Sequence, residues 1–230
     1  MNIKINSLYL KLFAVCFMTV DHIAYYFLLP NSEVYIIMRM IGRLAAPLFW
    51  FCFVEGYKRT SNRNRYKLRL LIAASIMSVG NLLLHALLDL DKLSILIPNM
   101  FLSFLISALI IDTIEDCIKS KEQIKIISLF VLSVILIVFA CKFCEYSYFI
   151  VSFILVFYFI KNNTIKNILF VVSATILSIV EKNFLQIFSI LAVLFFVNYD
   201  NSKPKYSFKY LFYLFYPLHI WLFVVSAFLF

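Results

Sequence analysis

The chain has 230 residues, of which 64% are hydrophobic and 14% charged, and its mean hydropathy is +0.96. A soluble domain of this size cannot hide that much apolar surface and a disordered chain would not contain it, so the composition excludes both classes and leaves an all-α polytopic membrane protein. With only three glycines the chain carries no glycine-rich phosphate loop. Its formal charge of +9 is spread over short loops between apolar runs, with no folded basic domain, which excludes nucleic acid as a partner.

Apolar windows long enough to cross a bilayer, or nearly so, run over residues 8–30, 34–57, 68–88, 95–114, 124–141, 147–161, 166–180, 184–199 and 208–229. These nine windows are read as about nine transmembrane helices in a single multi-pass domain, 1–230. The first window is not a cleaved signal peptide, because Asp21 and His22 interrupt it and no small-residue cleavage pattern follows. With the N-terminus cytoplasmic and the C-terminus outside, fifteen Lys and Arg fall in inner loops and three (Lys92, Lys142, Lys182) in outer ones. That bias follows the positive-inside rule. The cysteines are scattered, and the close pair Cys141 and Cys144 reads as free thiols at a helix end.

An ionisable group near the bilayer centre costs roughly 2.5–3.5 kcal/mol on insertion scales, which makes such residues functional candidates. Asp21, His22, Arg39, Arg43, Asn81, His85, Asn99 and His219 all fall in the outer halves of their windows, so one polar layer is expected between helices one to four and nine. Windows five to eight read as apolar packing material. Arg39 and Arg43 share a helix face, whereas the adjacent Asp21 and His22 diverge by about 100°. Asp21 is therefore expected to pair with arginine, either as a structural clip or as part of a site. His22 is the candidate base, and the guanidinium groups can steady an oxyanion, a set that suits acyl transfer. Pro217 should kink the last helix beside His219.

Lys11 precedes His22 by three helical turns, about 16 Å, on nearly the same face. Near its cytoplasmic end lies a basic loop with Arg59, Arg63 and Arg69. These cations can hold the phosphates of a coenzyme A nucleotide while the pantetheine arm reaches the polar layer, although plain positive-inside signalling would also make the loop basic.

Met18-Thr-Val-Asp-His22, Ile41-Gly-Arg-Leu-Ala-Ala-Pro-Leu-Phe49, Val54-Glu-Gly-Tyr57, Arg59 through Leu70, Asn99, and Phe215-Tyr-Pro-Leu-His219 occur in an order that resembles the TraX family of conjugative-pilin acetylases. The resemblance implies a multi-pass inner-membrane enzyme that acetylates the N-terminal amine of pilin with acetyl-coenzyme A as donor. Matched positions include Asp21, His22, Gly42, Arg43, Pro47, Glu55, Gly56, Arg69, Asn99, Tyr216, Pro217 and His219. Where the family carries an acidic residue and a proline, this chain has Ser78-Val-Gly-Asn81, a departure in the half of the membrane that would face the acceptor.

The expectation is therefore an acetyl-coenzyme A-dependent acetyltransferase acting on a pilin-like or other exported peptide among membrane lipids, with no metal. His22, Asp21, Arg43, Arg39 and His219 form the catalytic set. Lys11, Arg59, Arg63 and Arg69 bind the donor, and Glu55, Asn81, Asn99 and Tyr216 line the substrate side. The competing readings are an O-acyltransferase acting on a surface glycan, and a non-enzymatic small transporter or assembly scaffold.

Overall fold

The computed structural model describes residues 4–88, 99–143, 147–202 and 208–229. In chain order its helices are α1 (Ser7–Phe27), α2 (Glu33–Gly42), α3 (Ala45–Arg59), α4 (Arg63–Leu88), α5 (Met100–Lys119), α6 (Gln123–Phe143), α7 (Ser147–Phe159), α8 (Asn163–Val180), a 3₁₀ helix (Phe184–Ala192), α9 (Val193–Val197) and α10 (Lys209–Leu229). Among the described residues, five segments are long and apolar enough to cross a membrane: α1, the α2–α3 pair, α4, α8 and most of α10. The other four of the nine expected windows are α5, whose last turns carry Asp112, Glu115 and Asp116, and three shorter apolar helices. The chain is thus an all-α membrane protein. The thiols of Cys16, Cys52 and Cys117 are unbridged, whereas the Cys141–Cys144 pair lies outside the described side chains.

Helix starts are marked by side-chain caps. Asn6 accepts hydrogen bonds from the N–H groups of Leu8 and Tyr9, Ser32 from Tyr35, Asn99 from Leu102 and Asn162 from Ile165. Each satisfies backbone donors that have no partner within the helix. The window expected as one helix over 34–57 is broken at Arg43–Leu44. Pro47 has no N–H to give the Arg43 carbonyl and its ring crowds that turn, so the helix restarts at Ala45. The window 184–199 also departs from a plain α-helix. Its first nine residues are 3₁₀, which rises about 2.0 Å per residue instead of 1.5 Å and lets a short run reach further.

The core is centred on α3, in which Ala45, Ala46, Pro47, Leu48, Trp50, Phe51, Phe53, Val54 and Tyr57 are all buried. Aromatic rings fill the space between α3, α7, α8 and α9. Trp50 meets Phe149 at 5.2 Å and Phe153 at 5.4 Å, and Phe51 stacks on Phe196 at 4.8 Å. Lipid is as apolar as these rings, so the bundle gains chiefly from dispersion contacts. Conversely, α4 and α6 turn large apolar side chains outward, among them Leu82 and Ile124. A bilayer solvates such a surface; water does not.

Contacts between the first and last helices set their relative direction. Lys11 lies over the Phe212 ring, His22 contacts His219 and Phe27 contacts Phe223, so α1 and α10 run parallel, which requires an odd number of crossings in all. At one shared end, Ile5 pairs with the Asn198–Asp200 segment, Arg59 bonds Tyr199 and Asn201, and Arg63 bonds Asp112, Glu115 and Tyr158.

Gly42 permits the close approach of α1 and α2 at the charged centre, because a Cβ there would overlap the Asp21 carboxylate. Gly42→Ala should lower stability by about 1–3 kcal/mol, the usual cost of overpacking. Gly56→Ala, whose Cβ would meet the Tyr66 side chain in ordinary contact, nearest at its hydroxyl at 3.4 Å, should not. Thermal midpoints of the two purified variants in one detergent check this.

Candidate functional site

The charged centre is built by α1 and α2. Asp21, on the buried face of α1, accepts from Arg39 Nη1 at 2.6 Å through one carboxylate oxygen and from Arg43 Nη2 at 3.2 Å through the other. Arg39 and Arg43 converge because Arg43, the residue that caps the end of α2 in helical conformation, lies one turn beyond Arg39. Arg43 also donates through Nε to the Arg39 carbonyl at 3.4 Å and through Nη1 to Gln186 Oε1 at 3.5 Å. Arg39 lies near the faces of Tyr25 and Tyr35. Both carboxylate oxygens are thus committed, and the trio carries one positive charge in excess.

The histidine pair stands beside this clamp. His22 Nδ1 and His219 Nε2 are 2.9 Å apart, and the two rings stack with their planes inclined by 18°. His219 Nδ1 lies 2.9 Å from the Phe215 carbonyl oxygen, one turn back on α10 and across Pro217. His22 is half-buried and His219 is buried.

Two adjoining cavities reach this layer from the end of the bundle where Lys11 lies. The larger, about 230 Å³, is lined by α1, α3, α4, α5 and α10, with Lys11 and Arg69 among Cys52, Tyr66, Tyr213 and apolar groups. Arg69 lies over the Tyr66 ring, 5.5 Å from its centre. Among the described residues neither Lys11 nor Arg69 has a carboxylate partner, and the Arg69 Nε is buried without a hydrogen bond. The smaller chamber, about 20 Å³, is lined by Asp21, His22, Gly42, Ala45 and Ala46. Met18, Phe49, Met100 and Tyr216 line both, so one continuous wall runs from the two cations to the imidazole.

Asp21, His22, Arg39, Arg43 and His219 therefore come together, and Tyr216 joins them through the shared wall while its hydroxyl accepts from the Met100 N–H at 3.2 Å. The four expected donor-binding cations divide. Lys11 and Arg69 face the larger cavity; Arg59 and Arg63 line neither cavity and are engaged with Glu55 and with Asp112 and Glu115. Glu55 holds Lys58 and Arg59. Asn81 accepts from Trp221 Nε1 at 3.0 Å, and Asn99 caps α5 while donating to the Ala74 carbonyl and Ser78. The two asparagines tie helices together, whereas both Glu55 ion pairs lie within α3. Gln186 is not among the expected site residues, because the windows after the fourth read as packing material. Its one visible signal is an amide alone in the apolar run Phe184–Val197.

A histidine pair joined across two helices, next to a charge clamp at the end of a cavity with a basic mouth, defines an integral membrane protein with an internal polar site. Residues 7–226 match the family described as TraX protein, and the chain belongs to that family. It is similar to the probable fimbrial assembly protein FimC, serogroup H1, of Dichelobacter nodosus, with 28% identity over 237 aligned residues that cover 95% of this chain and 94% of that protein. No solved structure matches the chain.

Removing one partner of a buried ion pair strands the other charge, at a cost of about 3–5 kcal/mol. Asp21→Asn should therefore destabilise strongly, whereas Asp21→Asn combined with Arg39→Met should recover part of the loss. A double-mutant cycle on thermal midpoints reads this coupling, and fully additive effects would contradict it.

Proposed function

We propose that this protein is an acetyltransferase of the cytoplasmic membrane, which takes the acetyl group of acetyl-coenzyme A from the cytoplasmic side and transfers it to the N-terminal amine of a pilus or fimbrial subunit. Membership of the TraX family and the relative's name as a fimbrial assembly protein support the choice of acceptor. The observation that carries the chemistry is the continuous wall from Lys11 and Arg69 to His22. The cavity's mouth offers two cations without carboxylate partners among the described residues, which suits phosphates, and its apolar body suits a pantetheine arm. In this reading the donor is held by Lys11 and Arg69, while Arg59 and Arg63 stabilise the bundle's end.

The reaction then runs in balance. The acceptor amine attacks the thioester carbonyl, and the new C–N bond forms as the C–S bond breaks. His22 takes one proton from the attacking nitrogen and returns it to the departing thiolate, so the products are the acetylated amine and coenzyme A. The excess positive charge of the Asp21–Arg39–Arg43 trio disfavours an ammonium beside it and favours the neutral, nucleophilic amine. It also attracts the developing oxyanion. Because Arg43 already donates to Asp21, Gln186 and the Arg39 carbonyl, its contribution to the oxyanion is through space.

Acetyl-coenzyme A at a hundred times its Kd should stabilise the detergent-purified protein by about 2.7 kcal/mol. The thermal shift should vanish in Lys11→Glu/Arg69→Glu and persist in Arg59→Gln. His22→Ala should keep the shift and lose acetyl transfer to a subunit-derived peptide, followed by mass spectrometry. Transfer to a glycan hydroxyl and not to the amine would move the assignment to a sugar O-acyltransferase. No shift with any acyl-coenzyme A would favour a transporter or scaffold.

A further inference from the structure

The hydrogen-bond chain through the histidine pair has a direction. A carbonyl oxygen can only accept, so the contact between His219 Nδ1 and the Phe215 carbonyl requires the proton to sit on His219 Nδ1. In the neutral ring that leaves Nε2 of His219 with its lone pair. The 2.9 Å contact between that Nε2 and His22 Nδ1 can then form only if His22 Nδ1 carries the proton. His22 Nε2 is left bare. We propose that His219 is a positioning residue that locks His22 in the Nδ1-protonated tautomer and so presents Nε2 of His22 as the base at the acyl-transfer chamber.

The same contact serves a second step. When His22 Nε2 takes the proton of the attacking amine, the ring becomes an imidazolium, and its Nδ1–H, donated to the His219 lone pair, becomes a charge-assisted hydrogen bond. His219 thus does for His22 what a carboxylate does in a nucleophile–base–orienter triad, without becoming charged itself. The nearby carboxylate cannot take that part. Asp21 and His22 are adjacent in sequence and diverge around α1, and both oxygens of Asp21 are held by Arg39 and Arg43. His219 in turn is fixed by the Phe215 carbonyl one turn back, so its ring orientation depends on the stretch of α10 that contains Pro217.

The chemical part rests on the acetyltransferase reading; the tautomer does not, and one protein preparation separates them. The chain contains three histidines, His22, His85 and His219. Protein labelled with ring-15N histidine and held in lipid nanodiscs at neutral pH gives long-range proton–nitrogen correlations that assign each ring's tautomer. His85→Gln removes the third set of signals. The expected result is Nδ1–H and bare Nε2 for both His22 and His219. An Nε2-protonated or doubly protonated His22 overturns the proposal.

The kinetic arm uses two variants. His219→Ala should lower kcat for acetyl transfer by about 10- to 100-fold, as removal of an orienting partner usually does, with KM for acetyl-coenzyme A little changed. His219→Gln, whose amide oxygen can accept from His22 Nδ1–H, should recover most of that loss. Equal loss in both folded variants, with His22 still Nδ1-protonated, refutes the positioning role. Full activity in His219→Ala refutes it as well. Absence of acetyl transfer in the unaltered protein would instead sink the transferase reading, and the 15N result would stand on its own.

Discussion

The Asp21 carboxylate binds two arginines one turn apart at the C-terminal end of α2, Arg39 within the helix and Arg43 capping it, and the arrangement of the polar layer depends on that contact. A single charge in an apolar helix would be costly to insert, and the cost is offset here only because α1 and α2 approach closely enough for two charge-assisted hydrogen bonds. Gly42 makes the approach possible, since any larger side chain would occupy the carboxylate's place. Pro47 ends α2 one turn later and lets the chain restart as the buried helix α3. Together these residues hold the carboxylate on the arginines and leave the neighbouring imidazole facing α10.

That division of labour between adjacent residues explains why a histidine, and not a carboxylate, orients the proposed base. On α1 the direction of Asp21 belongs to the clamp and the direction of His22 to the contact with α10. The complementary group comes from α10, whose parallel course brings Lys11 to Phe212 at one level and His22 to His219 at another. A chain closing its first and last spans in the same direction can build a site from residues 197 positions apart while leaving α6 as lipid-facing cover.

The basic residues are of two physical kinds that look the same along the chain. Arg59 and Arg63 sit at the bundle's end among Glu55, Asp112, Glu115 and tyrosine hydroxyls, where Arg59 joins α3 to the stretch 199–201 and Arg63 joins α4 to α5 and α7. Lys11 and Arg69 instead face aromatic rings and a cavity. Composition, charge count and loop bias treat all four alike. Their surroundings separate cations that stabilise the fold from cations that can meet an anionic ligand.

Membrane class, the approximate positions of the apolar segments and the coming together of Asp21, His22, Arg39, Arg43 and His219 were legible in the residues. Each depends on local quantities: run length, the cost of an ionisable group in lipid, and the one-turn spacing that unites Arg39 with Arg43 and sends Asp21 and His22 apart. The break at Arg43–Leu44, the 3₁₀ course of Phe184–Ala192, the contact of Gln186 with Arg43 and the sorting of the four cations were not legible. These depend on which faces meet after the helices pack. The tautomer of His22 belongs to the same class. An imidazole's spacing along a helix says where it points, but the site of its proton is decided by the lone pair or hydrogen it meets on another helix, and only the folded bundle brings His219 and the Phe215 carbonyl to that place.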